Sequence, residues 1–207
     1  TSGITYPAIS GHPDIFFTQI DDKLIIAPNL PDVFLKQLDD FEIGIFIGEK
    51  PVGAVYPETA RFNASISSRF FVHHHHISDN EITRHCNHKI FIEVRQGYTR
   101  CNLIFLSETA AITSDSGISR KLPSWGVEVL LVNPRGIILP GFEHGFFGGC
   151  CGVMDNQLFI LGNISLFSEG KAVQQFAEKH DLRIVQLCNT PLFDGGGIIF
   201  ASSIANQ

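Results

Sequence analysis

Cys101-Asn102-Leu103-Ile104-Phe105-Leu106-Ser107-Glu108-Thr109-Ala110-Ala111-Ile112-Thr113-Ser114-Asp115 sets out one structural unit. A polar start leads into the apolar run Leu103–Leu106. A short polar turn follows, then a second apolar run over Ala110–Thr113. Two short apolar runs separated by a turn predict antiparallel strands. Asp115 has the side chain to cap a helix, and Pro123 limits how far that helix extends. Val127–Val132 is then an apolar run broken only by Glu128, read as a strand buried on both faces. The unit therefore reads strand, strand, helix, strand.

The same order recurs on both sides. Upstream, Asp14-Ile15-Phe16-Phe17, a turn at Asp21-Asp22 and Leu24-Ile25-Ile26 precede a helix from Pro31 to Asp40 and a strand over Ile43–Ile47. A second unit opens at Asn63, with strands at Ser65–Ser67 and Phe70–His73. Its helix is expected over Ser78–His88, where Ser78 and Glu81 have capping-box spacing, and Ile90–Val94 closes it. A fourth opens at Gly149, turns at Asp155-Asn156, and continues through Leu158–Leu161. A helix beginning at Ser168-Glu169 then places Val173, Phe176 and Ala177 on one face, and Ile184–Leu187 follows. A fifth opens at Asp194 with Gly195-Gly196-Gly197-Ile198-Ile199-Phe200. The unit starts, 14, 63, 101, 149 and 194, are 49, 38, 48 and 45 residues apart. A period near ~45 residues marks repeat architectures. The chain thus predicts an α/β fold of about five ββαβ-like units, the last incomplete, forming one domain over residues 1–207. The incomplete unit predicts an open ring, or one completed by a second copy in a homodimer, because it leaves a strand edge unpaired.

Composition narrows the function classes. Lys and Arg number 15 against 21 Asp and Glu, a formal charge of −6, with no basic cluster. Nucleic-acid and anionic-membrane binding are not expected from that balance, whereas a small cationic ligand suits it. No apolar run approaches the ~18–20 residues of a membrane span. Five cysteines in no framework spacing suggest reduced thiols and a cytoplasmic setting. No cofactor is expected: Gly195–Gly197 is followed by no Lys-Ser/Thr and opens no helix, unlike a phosphate loop.

Several segments together resemble a known fold family. They are Gly11-His12-Pro13-Asp14-Ile15, Gln96-Gly97-Tyr98-Thr99-Arg100-Cys101-Asn102, Ile112–Ile118, Gly145-Phe146-Phe147-Gly148-Gly149 and Asp194–Phe200. The chain resembles the pentein propellers of guanidino-group-modifying enzymes, the amidinotransferases, deiminases and dimethylarginine hydrolases, and within them an uncharacterised family. Members of that family usually carry a further N-terminal stretch. The resemblance implies a central pocket where the unit starts meet, and a hydrolase or transferase acting on a small guanidino-like cation. Those enzymes use carboxylates for the guanidinium, a His–acid pair, and a Cys nucleophile in the last unit. Here Phe200 stands at that Cys position, and Cys101-Asn102 replaces the third unit's His–acid pair. A non-catalytic ribosome-binding initiation factor shares the fold, so a ligand- or macromolecule-binding role is the alternative.

Candidate site residues follow from these starts. Asp14 is a carboxylate for a cation and His12 a proton carrier; equally, Asp14 suits a turn whose N–H groups need an acceptor. Cys101 is the candidate nucleophile, with a small packed residue as the plain alternative. If Arg100 and Cys101 lie on a strand they face opposite ways. Asn63, Glu143, His144 and Asp194 are candidate substrate-binding groups. Cys150-Cys151 suits core or site wall. His73–His76, with His85, Cys86 and His88, is the metal candidate, but a surface histidine run is the expected reading. It lacks the spacing of a metal motif, and no metal site is expected.

Overall fold

The computed structural model describes residues 3–201, so the ends of the expected domain, 1–2 and 202–207, lie outside the described residues. The first unit comprises α1 (Pro13–Phe16), β1 (Phe17–Ile20), β2 (Lys23–Ile26), α2 (Asp32–Asp40) and β3 (Ile45–Ile47). The second comprises β4 (Ser65–Ile66), β5 (Phe70–His73), α3 (Asn80–His85) and β6 (Ile90–Glu93). The third comprises α4 (Thr99–Asn102), β7 (Leu103–Ser107), β8 (Ala110–Thr113), α5 (Ser116–Lys121) and β9 (Glu128–Leu131). The fourth comprises β10 (Cys151–Met154), β11 (Gln157–Ile160), α6 (Gly170–Lys179) and β12 (Arg183–Gln186).

Each unit forms its own three-stranded sheet in chain order. The first two strands are antiparallel and the last two parallel, as in Leu103↔Thr113 and Ile112↔Leu130. The parallel pair needs a crossover, which the helix supplies. Asp155 and Asn156 both hold positive φ, 49° and 55°, the geometry of a tight hairpin turn between β10 and β11. The aromatic part of the core is phenylalanine, packed among isoleucine and leucine: Phe16, Phe62, Phe70 and Phe147 are fully enclosed. Burying each such side chain stabilises the fold by roughly 1.5–3 kcal/mol.

Neighbouring units are tied to one another near their starts. Thr18 Oγ1 donates to Phe62 O, Thr99 Oγ1 donates to Asn63 O at 2.8 Å, and Arg100 Nη1 donates to Gly148 O at 2.8 Å. Gly195 N donates to Gly149 O at 3.1 Å, and His12 meets Asp194 at 3.8 Å. These contacts run from the first unit to the fifth segment and back to His12, but among the described residues the strands form four separate sheets and close no barrel. Among the described residues the fifth segment contributes no named strand. It lies along β10 through Ile198 N, which donates to Cys151 O at 2.9 Å. The first strands and this segment surround a cavity of about 240 Å³, lined by Thr18, Ser65, Phe105, Val153 and Ile199 among others.

Several local expectations change. Asp79, not Ser78, caps α3 by accepting from Glu81 N at 2.9 Å, and the helix ends at His85. Asp115 caps α5 as expected, accepting from Ile118 N at 2.8 Å. The Val127–Val132 run is enclosed only at its ends. β9 is the outer strand of its sheet, and Leu131 is 45% exposed. His73 does not belong to a surface run. It is wholly buried, with Nε2 2.8 Å from Gly97 O and Nδ1 2.6 Å from Ser78 Oγ. His85 pairs with Glu81 at 3.1 Å, while His88 faces Asp21 at 3.6 Å, so these two do not share a site. No helix among the described residues is long and apolar enough to cross a membrane.

Candidate functional site

Three of the five unit starts, Asp14, Cys101 and Gly149, lie in single helical turns rather than strand ends. His12 is the N-cap of α1 and Pro13 its first residue, a position where proline's missing N–H and fixed φ fit. That turn carries Asp14 into the centre, where it is fully buried. Likewise α4 carries Arg100 and Cys101. On a helical turn the two side chains diverge without strand alternation. Arg100 reaches the carbonyls of Gly148, Cys151 and Ile198, whereas Cys101 turns to Asp14.

The centre is a short chain of contacts. Cys101 Sγ donates to Asp14 Oδ2 at 2.9 Å. Asn63 Nδ2 lies 3.1 Å from Asp14 O and 3.3 Å from Cys101 Sγ, and its Oδ1 accepts from Cys101 N at 3.2 Å. Asp194 Oδ2 accepts from Phe146 N at 2.8 Å, and Oδ1 from Gly196 N at 3.1 Å. His12 Nδ1 stands 3.8 Å from Asp194 Oδ1 and has no hydrogen-bond partner, nor has Asp14 Oδ1. Two glycines permit this closeness. A Cβ on Gly149 would stand 2.0 Å from Asp194 Oδ1, and one on Gly196, whose φ is +82°, would stand 2.4 Å from the Cβ of His12.

Burial governs the electrostatics. It pushes the Asp14 carboxyl up to about 6, although His12 and the Cys101 hydrogen bond pull the other way. Asp194 is raised by burial too, against His12 and its two backbone donors. Burial, and then the neighbouring Asp14, holds the Cys101 thiol well above the ordinary thiol value. The resting site therefore holds a neutral thiol beside carboxyls that gain from a cation. Cys150 and Cys151, also enclosed, are raised by burial and serve as packing.

A cavity of about 270 Å³ opens onto this centre. Its wall includes His12, Cys101, Glu143, His144 and Asp194, with Tyr6, Tyr98, Phe142 and Phe146 as an aromatic rim. Asp14 and Asn63 sit behind the wall, so the amide of Asn63 is engaged in holding Cys101 and Asp14 rather than facing the cavity. Glu143 is exposed at the mouth, and His144 Nδ1 lies 2.9 Å from Gly145 O. The tyrosines were the missing piece of the sequence reading. Tyr98 Oη pairs with Thr59 and lies 3.3 Å from Tyr6 Oη, contacts spanning distant positions with no local signature.

Comparison with known proteins agrees on the fold. SxtG, an amidinotransferase from Microseira wollei in the saxitoxin biosynthetic pathway, superposes with a TM-score of 0.51 at 13% identity, covering 91% of this chain and 67% of that one. DDAH from Pseudomonas aeruginosa, in a mutant complexed with citrulline, superposes with a TM-score of 0.52 at 8% identity, covering 91% and 69%. The fold is thus the pentein-type α/β propeller. No curated protein matches in sequence. The model of a family of unknown function, DUF6873, matches residues 1–199, and the chain belongs to that family.

Proposed function

We propose that the central pocket is the site of a hydrolase or transferase acting on a small, cationic, guanidino-like compound. The observation that carries this reading is Asp194, a buried carboxylate in the cavity wall, with a second buried carboxylate, Asp14, behind Cys101. Both are buried, and among the described residues neither forms an ion pair with a Lys or Arg. A buried carboxylate with no Lys or Arg in contact is costly even with His12 and Arg100 nearby, so Asp194 favours a ligand that brings a cation. The faces of Tyr6, Tyr98, Phe142 and Phe146 suit a delocalised cation, and about 270 Å³ suits a small one. Superposition on an amidinotransferase and on a citrulline complex of DDAH is consistent with that ligand class. Five free thiols fit a reducing, cytoplasmic setting.

In this reading Cys101 Sγ attacks the electrophilic carbon of the ligand while its proton passes to Asp14 Oδ2, already 2.9 Å away. His12 then supplies a proton to the departing amine. The alternative is a non-catalytic binding protein on the same scaffold, and the high thiol pKa of Cys101 favours it. A panel of guanidino compounds separates the two. Turnover lost in both Cys101→Ala and Asp14→Asn, with folding intact, supports covalent catalysis. Binding without turnover in the unaltered protein supports the alternative. Neither binding nor turnover across the panel removes the guanidino reading.

A further inference from the structure

Outside covalent chemistry, the same centre has a donor set that the sequence spacing conceals. A ring nitrogen of His12, Cys101 Sγ and a carboxylate oxygen of Asp194 all lie within 4.8 Å of one another, and all three residues are buried. Among the described residues this is the one such cluster. We propose that His12, Cys101 and Asp194 form a three-ligand site for a thiophilic divalent transition-metal ion of the zinc type, with its fourth position open to the aromatic-rimmed cavity.

One observation points to a ligand there, and two show that the ligating groups are held in place. His12 Nδ1 is buried without a hydrogen-bond partner, which a ring nitrogen aimed at a carboxylate rarely tolerates. Asp194 is held from behind by the N–H groups of Phe146 and Gly196, one on each oxygen. That leaves lone pairs on the cavity side and fixes the carboxylate as outer partners fix metal ligands. Cys101 is fixed in the same manner by Asn63, through its N–H at 3.2 Å and its Sγ at 3.3 Å.

The geometry fits a small ion with little movement. Bonds of ~2.0–2.3 Å place tetrahedral ligand atoms about 3.3–3.8 Å apart. His12 Nδ1 and Asp194 Oδ1, 3.8 Å apart, close by about half an ångström to suit a nitrogen–oxygen pair, and the sulfur contacts close by at most about 1.3 Å from the 4.8 Å limit. One sulfur, one nitrogen and one oxygen select zinc or cobalt over magnesium or calcium, which prefer oxygen alone. Coordination breaks the S–H bond of Cys101. Asp14 Oδ2, which already accepts that hydrogen bond, takes the proton, and the metal–sulfur bond forms. A cysteine held this way is no longer a free nucleophile, so an ion and covalent turnover exclude each other. The metal proposal does not depend on the identity of any organic substrate.

Cobalt(II) titration of the metal-free full chain reads the site directly. The expected result is one cobalt per chain with a thiolate-to-metal charge-transfer band. That band is absent in Cys101→Ala, and affinity falls at least tenfold in Asp194→Asn and in His12→Gln. It persists in a variant with His74, His75 and His76 changed to Gln, which removes adventitious surface binding. X-ray absorption of the unaltered zinc-loaded protein covers the case in which Cys101→Ala does not fold: one sulfur neighbour among nitrogen and oxygen is expected. No band, no sulfur neighbour, or a band abolished by Cys188→Ala instead would overturn the proposal. None of these outcomes bears on guanidino binding, which is measured without metal.

Discussion

Asn63 shows how a single residue can organise a site it never exposes. Its amide contacts Asp14 O, Cys101 N and Cys101 Sγ at once. Asn63→Ala leaves a buried donor and a buried acceptor without these partners, each costing roughly 1–3 kcal/mol. The expected outcome is a denaturation midpoint lowered by the equivalent of about 2 kcal/mol or more, and faster alkylation of Cys101 as its support loosens. A change below about 0.5 kcal/mol would mean that water replaces the amide without penalty. The polar starts Asp14, Asn63, Cys101 and Asp194 were legible as residues. Their division of labour was not, because it depends on contacts between positions as far apart as 14 and 101.

At the scale of elements, strands and hairpins were read well because alternation and turn residues are local signals. The one-turn helices α1 and α4 were not, since four residues are too few to show a period. The β5 strand end gives the clearest departure: four consecutive histidines read as surface, yet the first is core. With Nε2–H donated to Gly97 O, the Nδ1 of His73 is left as an acceptor toward Ser78 Oγ. Burial depresses its pKa from the usual 6.5 to about 4. The unfolded chain therefore binds a proton between those values that the folded chain refuses. Stability from this residue is complete above 6.5, falls as pH drops toward about 4, and is level below that. The span corresponds to about 3 kcal/mol. Denaturant titrations at pH 7 and pH 4.5 should show a smaller pH difference in His73→Gln than in the unaltered protein. Equal differences would place the acid sensitivity elsewhere.

Across the whole molecule, the repeat decided the architecture. Five starts at irregular intervals meet around one axis, joined by the Thr18–Phe62, Thr99–Asn63, Arg100–Gly148, Gly195–Gly149 and His12–Asp194 contacts. Arg100 serves this ring, its guanidinium held by three carbonyls, so Arg100→Ala should weaken the join between the third unit, the fourth and the final segment. Thermal melts should fall by several degrees; an unchanged melt would contradict that role. The aromatic rim stayed out of reach of the sequence because Tyr6, Tyr98 and Phe142 come from three distant stretches that only the ring brings together. The ring is expected to enclose a cation site built on the buried carboxylate of Asp194, with Asp14 behind it. A crystal structure of the chain grown with methylguanidine tests it most directly. The guanidinium is expected between Asp194 and Cys101, within the walls of Tyr98 and Phe146. Methylguanidine bound elsewhere at saturating concentration, with the central cavity holding only water, would contradict it.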